Sequence, residues 1–463
     1  MTIPPLTDVR NPLGKNPVVN VIQDGARLHY ALPVALHRRE ILGTVFTDWF
    51  VRPGSREDTV ARWMRRLSPD LATRLADRCC PELDGSRVVS SNRLALYQWM
   101  ARAYPGTPEE RHALLSKSFA RWVVRQDWGG ANAMIGFVRN IDPELCAAAK
   151  RRRVIVVVDQ MIAPAAIQVA EARRQAARWS NWCARTAPGN WELVVDTEQR
   201  TWALADHITC PSDYVRDGLL EQGISPDKIS VIPYPVDSGR FPFVDRRGHD
   251  GPLVVGFLGA IGLRKGAPAF FEVARYFDAS EARFVMVGPI EFEARLLAAN
   301  KGRVELMGAV PRSRVLSWLE RFDVLLFPST CEGSAGAVME AMATGLPVIT
   351  TYNSGSVVRD GVEGFICACD DIVGLARCIA GLRDDPALRV RMGTASRERA
   401  QGLNLNGYAR SLDHVLRYLL QHQAKAERIT SPLESRCPGQ NCGATDMAED
   451  RRRWPGNGAR APL

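Results

Sequence analysis

The chain has 463 residues, too many for one hydrophobic core, so two or three domains are expected. Its 46% hydrophobic and 24% charged residues are ordinary for a soluble globular protein. No stretch reaches the ~18 apolar residues that would span a bilayer. The net charge of +9 suits a solvated surface, an anionic small-molecule partner or acidic lipid headgroups. Nucleic acid is not an expected partner, because the basic residues are scattered and form no recognisable binding module. The 11 cysteines are irregularly spaced and match no zinc pattern, and no Asp-x-Asp pair suggests a divalent metal. Reduced thiols and a cytoplasmic location are expected, with peripheral contact at the inner face of a membrane as an open alternative. The N-terminus, Met1-Thr-Ile-Pro-Pro, lacks a signal-peptide pattern.

Val18–Ile22 reads as a first β-branched strand, followed by the loop Gln23–Tyr30 and a helix from about Ala31 to Leu42. Residues 55–125 read as a largely helical elaboration, rich in Arg, Leu and Trp. Arg153–Val158 is apolar enough for a strand buried on both faces, and it ends in Asp159-Gln160 on a loop that could face a cleft. Short strands follow at Ile208–Cys210 and Ile229–Ile232, with a helix at Asp213–Gln222. The polar stretch Gly239–Pro252 reads as a linker. Leu253–Leu258 opens a second series, with strands at Arg283–Val287, Val304–Leu306, Val324–Phe327 and Pro347–Thr350. Apolar residues at helical spacing mark Asn406–Ala424, and the chain from Glu427 onward reads as a disordered tail.

Strand–helix alternation in both halves predicts an α/β protein with two Rossmann-like, doubly wound parallel sheets facing a cleft. The expected domains are 1–240 with the helical insertion, 250–405, a helix over 406–426, and the tail 427–463. The stretch Phe327–Val348 is then the most informative: a buried strand, a Gly-containing loop and a helix. Two glutamates flank the loop, Glu332 before it and Glu340 inside the helix, with seven residues between them. The helix N-terminus and the backbone N–H groups of Gly333, Ser334, Ala335, Gly336, Ala337 and Val338 can hold a diphosphate. Carboxylates on either side can accept hydrogen bonds from sugar hydroxyls, so the layout suits a nucleotide sugar.

This stretch resembles the E-x7-E motif of the family 4 (group 1) glycosyltransferases, which have the GT-B fold. Gly259-Ala-Ile-Gly-Leu-Arg-Lys-Gly266 resembles the family's phosphate loop. Phe284–Gly288, Leu306-Met-Gly308, Asp360–Gly364, Ala205–Ser212 and Val231–Asp237 fall in the family's order and spacing. The resemblance spans about residues 200–420. It implies that Glu340 binds the donor ribose, that Glu332 contacts the transferred sugar, and that Lys265, assisted by Arg264, clamps the β-phosphate. It implies donor contacts at Gly259, and base recognition through backbone around Val310-Pro311. Many relatives carry Arg where this chain has Ala260, which puts the clamp on Lys265 and Arg264 together. Relatives often have Phe-Gly where this chain has Ser334-Ala335, a change that leaves room near the sugar. In the first domain the loop with Arg27, His29 and Tyr30 is expected on the acceptor side. Asp159 and Gln160 stand where relatives often place a histidine near the reacting carbon. Asp206-His207 is assigned to packing.

The resemblance further implies transfer of a sugar from a UDP-, GDP- or ADP-sugar, as substrate, to a hydroxyl. It implies retention of anomeric configuration, no metal and no other cofactor. A polysaccharide, a lipid-linked sugar and a small molecule are all open as acceptor. Two rival readings are a nucleotide-sugar epimerase of the same fold and a non-catalytic donor-binding subunit.

Overall fold

The computed structural model describes residues 17–64, 66, 78–101, 106–182, 189–246, 251–300 and 302–430. The expectations for the extreme N-terminus, and for the tail from 431 onward, lie outside these residues, as does the middle of the Gly239–Pro252 linker. The first sheet holds β1 (Val19–Ile22), β2 (Leu42–Thr47), β3 (Arg87–Ser90), β4 (Ala133–Phe137), β5 (Ile155–Asp159), β6 (His207–Cys210) and β7 (Ile229–Val231). The second holds β8 (Leu253–Leu258), β9 (Ala282–Val287), β10 (Glu305–Leu306), β11 (Val324–Phe327), β12 (Val348–Thr351) and β13 (Gly364–Cys367). Their spatial orders are β3-β2-β1-β4-β5-β6-β7 and β10-β9-β8-β11-β12-β13. All the strand pairings described are parallel, as the strand–helix alternation predicts.

Each sheet winds outward in both directions from its first strand. The winding reverses between β1 and β4 and again between β8 and β11. Ligands of such sheets bind beyond the strand C-termini at that reversal, because the two flanking loops diverge there and leave a crevice. In the second sheet those loops are Gly259–Gly266 and Pro328–Ala335.

Three strands of the first sheet depart from the expected pattern. The helix after the Gln23–Tyr30 loop ends at Arg38, not near Leu42, and Leu42 opens β2. The region 55–125 contains three described helices, Arg56–Met64, Asn92–Met100 and Pro108–Val124, but β3 runs between the first two. β4 was not expected at all. Gly43 and Gly136 interrupt the apolar runs of β2 and β4, and β3 is a short edge strand, so none carries a strong strand signal on its own. The long C-terminal helix runs Leu405–Thr430, past the position where the sequence turns polar.

That helix seals the first domain. Tyr408, Leu412, Val415 and Leu416 are buried in one core with Leu32, Ala35 and Leu36. Asp413, only 4% exposed, accepts hydrogen bonds from Arg39 at 2.7 and 3.0 Å and from Arg417 at 2.7 Å. Beside it, Tyr234 donates its hydroxyl to the buried Asp159 carboxylate at 2.6 Å and packs edge-on against Tyr408. Burial outweighs the hydroxyl's help, and the Asp159 carboxyl is pushed up to about 7.

The two sheets meet through small residues and rings. Gly333, in the loop after β11, lies against the backbone of Met161 and Ile162 beyond β5. A Cβ there would fall 1.8 Å from the Met161 carbonyl oxygen, so only glycine permits this approach. Ser212 donates its hydroxyl to the Gly333 carbonyl at 2.6 Å. Trp182 stacks on Phe271 with ring centroids 4.7 Å apart. Among the described residues no helix is long and apolar enough to cross a membrane.

Two predictions test this frame. Asp159 holds its proton in the folded state above the pH where the unfolded chain loses it, so its contribution to stability is fully present below about pH 4 and lost as pH rises through about 7. Asp159→Asn should remove that decline, read as a flatter melting temperature than wild type between those pH values; parallel profiles would refute the assignment. Gly333→Ala should lower stability by about 1–3 kcal/mol in chemical denaturation. Gly336→Ala, where a Cβ meets nothing within 4 Å, should not.

Candidate active site

The site grows from two loops tied together by one carbonyl. The Arg264 carbonyl accepts from the Thr330 N–H at 2.9 Å, the Ser329 hydroxyl at 3.0 Å and the Thr330 hydroxyl at 3.1 Å. Gly266 closes the first loop with φ of 72° and caps the helix Ala267–Ala274. A Cβ at Gly266 would lie 1.9 Å from the Pro328 carbonyl oxygen, so a glycine is required for the loops to touch.

This contact brings three predicted residues together. Lys265 Nζ lies 2.6 Å from Glu332 Oε1, and Arg264 pairs with the same oxygen. Ser329 Oγ lies 3.3 Å from it. Glu332 is 8% exposed, while the Arg264 side chain is 46% exposed and so forms the open edge of the cluster. Lys265 Nζ also sits over the Phe327 ring, 5.0 Å from its centroid. Burial lowers the lysine's pKa from its ordinary value, and the Glu332 carboxylate opposes that shift. Two cations thus meet one acid near Gly259, the residue immediately beyond β8, and the Glu291 carboxylate also acts on Lys265.

The helix Gly336–Ala343 follows, and no side chain caps its N-terminus. The N–H groups of Gly336 and Ala337 have no partner within the helix, and together with its dipole they offer an anion site, whereas the Val338 N–H, also expected as a donor, is taken up by the Ala335 carbonyl at 3.0 Å. Gly336 is exposed and Ser334 and Ala337 are half-buried, whereas Gly333, Ala335 and Val338 are buried. Ser334 Oγ is a buried hydroxyl with no hydrogen-bond partner. Gly333 and Gly336 therefore differ: the first is demanded by Met161, and the second faces open space. Glu340 is 8% exposed and pairs with Arg312. Burial raises the Glu340 carboxyl, and Arg312 pulls it back. Arg312 was not among the expected residues, although it lies two positions after Val310, itself half-buried. Its adjacency to Val310-Pro311 was the available signal.

The first-domain candidates divide. Arg27 holds Asp24 at 3.2 Å, reaches Met161 Sδ at 3.4 Å and is half-buried on the cleft side of β1. His29 is exposed. Leu28, His29 and Tyr30 have φ of 49°, 50° and 61°, three left-handed residues in succession. Such residues cost about 1–2 kcal/mol each, and tertiary contacts must offset that. Tyr30 supplies some: it is 1% exposed and packs edge-on against Phe50, so it belongs to the core and not to an acceptor surface. Asp159 and Gln160 are likewise buried, not open to a cleft. Asp159 is taken up by Tyr234, and Gln160 accepts from Trp202 Nε1 at 2.9 Å and donates to the Ile162 carbonyl at 3.0 Å. They shape the loop on which Gly333 rests. Asp206 and His207 serve packing: Asp206 accepts the Val156 N–H at 2.8 Å, and His207 Nε2 meets Ser230 Oγ at 2.9 Å. Among the described residues no group of three His, Cys, Asp or Glu side chains could hold a metal ion.

Comparison with known proteins agrees with this fold. Residues 145–240 match the family model described as Glycosyltransferase Family 4, and residues 252–385 match Glycosyl transferases group 1. The chain is 29% identical over 202 residues to a glycogen synthase of Mycobacterium tuberculosis, an alignment covering 42% of this chain and 49% of the relative. The chain thus spans about half the length of that relative. In fold it is similar to the sucrose-phosphate synthase of Thermosynechococcus elongatus, with a TM-score of 0.60 at 16% identity, covering 88% of this chain and all of that one. It is also similar to Anabaena HepE in complex with UDP, with a TM-score of 0.55 at 14% identity, covering 86% of this chain and 99% of that one. Residues 145–240 and 252–385 thus carry a Glycosyltransferase Family 4 domain and a Glycosyl transferases group 1 domain, on two parallel-sheet domains of the GT-B fold.

Proposed function

We propose that the protein transfers a sugar from a nucleoside diphosphate sugar to a hydroxyl acceptor, with retention of anomeric configuration and without a divalent metal. The observation that carries this is the meeting of Lys265 and Arg264 on Glu332, next to an uncapped helix N-terminus at the chain reversal between β8 and β11. HepE, of similar fold, was solved with UDP bound, which supports a uridine diphosphate as the first donor to try.

The chemistry follows from charge. The bond between the sugar's anomeric carbon and the β-phosphate oxygen breaks, and the leaving diphosphate gains negative charge. Lys265 and Arg264 stabilise that charge, along with the N–H groups of Gly336 and Ala337. An acceptor oxygen bonds to the anomeric carbon on the same face, and its proton passes to the leaving phosphate oxygen. Glu332, held by its two cations, is assigned to hydrogen bonds from the sugar. Glu340, steadied by Arg312, is assigned to the ribose hydroxyls. The protein thus contributes positioning and electrostatics and needs no side-chain nucleophile.

Two experiments test the reading. UDP, GDP and ADP should be separated by thermal shift, with one of them raising the melting temperature through mass action and Lys265→Ala losing most of that rise. No shift with any of the three would sink it. With the donor identified, Glu332→Gln and Lys265→Ala should each lower kcat by about 10²–10³, and the product's anomeric proton coupling should report the donor's configuration. An inverted product, or unchanged turnover in both variants, would refute the mechanism.

A further inference from the structure

Cys367 and Cys378 meet beside the edge of the second sheet, with their sulfurs 3.7 Å apart. Cys367 is the last residue of β13, the edge strand, and Cys378 lies in the helix Ile372–Asp384, which packs against that strand. Both are free thiols and only half-buried. Their sulfurs are in van der Waals contact, and a small shift would bring them to the about 2.05 Å of a disulfide. Other described cysteines differ. Cys146, Cys210, Cys331 and Cys369 are buried, and burial raises each of their thiol pKa values, which keeps them protonated and unreactive. The Cys367–Cys378 pair is instead asymmetric. The hydrogen bond between the thiols lowers the pKa of Cys378 and raises that of Cys367; Arg377 adds to the lowering at Cys378, against burial and the carboxylates of Asp360 and Asp371. Cys378 is therefore the thiol that more readily supplies a thiolate, the reactive form.

The chain between the two cysteines, which are 11 positions apart, is held at two distant points. Cys369 Sγ lies 3.8 Å from the Ser329 carbonyl oxygen, on the loop that carries Glu332. The Asp370 carboxylate pairs with Arg174, and its carbonyl accepts from Arg178 at 3.0 Å. Both arginines belong to the first-domain helix Ala165–Arg178. The loop 368–371 thus touches the donor loop on one side and the first domain on the other, and its two ends lead to the two sulfurs.

We propose that Cys367 and Cys378 form a peroxide-sensitive dithiol, whose oxidation to a disulfide staples the loop 368–371 in the position where it grips the first domain. The Cys378 thiolate attacks one oxygen of hydrogen peroxide. The O–O bond breaks, a sulfenic acid forms, and the hydroxide that leaves takes up the proton Cys378 had lost. The Cys367 sulfur then bonds to the Cys378 sulfur as the S–O bond breaks, and the sulfenic oxygen departs as water with the Cys367 proton. Two thiols are oxidised to one disulfide, and one peroxide is reduced to two waters.

The test treats the full chain with limiting hydrogen peroxide and maps it by non-reducing peptide mass spectrometry. The Cys367–Cys378 crosslink should form before any other cysteine reacts, and dithiothreitol should reverse it. Amide hydrogen exchange over 368–374 should slow about threefold or more in the oxidised protein, because the crosslink removes open conformations of the loop. Cys378→Ser should abolish the crosslink, and Cys367→Ser should leave a Cys378 sulfenic acid that dimedone captures. Melting temperatures equal to that of reduced wild type would show both variants folded. In wild type, earlier oxidation of another cysteine such as the exposed Cys79, or overoxidation of Cys378 without a crosslink, overturns the dithiol. A crosslink that leaves amide exchange over 368–374 unchanged overturns the staple.

Discussion

The Arg264 carbonyl, with three hydrogen-bond donors from Ser329 and Thr330, is the constraint on which the Lys265–Arg264–Glu332 cluster depends. It joins two loops that are 60-odd residues apart in the chain but adjacent in space, because β8 and β11 are neighbours in the sheet. With that junction made, Lys265 and Arg264 have little choice but to meet Glu332. An isolated lysine as buried as Lys265 would tend to lose its proton. The carboxylate beside it opposes that loss, and the pair can persist in a site that shields it from water. Arg264, half in solvent, then supplies charge at the edge where a diphosphate would arrive.

A second constraint concerns how the domains face each other. Gly333 is the point where the loop of one sheet rests on the backbone of the other, and the Ser212 hydroxyl fastens it. Asp159 and Gln160 set the shape of the surface it rests on, by spending their polar groups inside the first domain. A buried acid with a raised pKa is often taken as a catalytic signal. Here the acid lies behind the loop, with Tyr234 as its partner, so its perturbation reports burial and not chemistry.

Much of the second domain was legible in the linear chain. Apolar runs such as Leu253–Leu258 and Val324–Phe327 announce buried parallel strands, since both faces are covered and no alternation is needed. The Phe327–Val348 segment states its own strand end, loop and helix. β2 and β4 escaped detection because glycines break their runs, and β3 because an edge strand carries little apolar signal; only pairing with β1 and its neighbours makes them strands. Arg312 is marked in the chain only by its place beside Val310-Pro311, because its partner Glu340 lies on a distant segment. The sequence alone therefore determined the two-sheet architecture and the strand–loop–helix that carries Glu332 and Glu340, both written in local runs. The tertiary structure decided which charges pair, which glycine bears the domain contact, and which polar groups are left unmatched, because burial and long-range contact exist only once the sheets have closed.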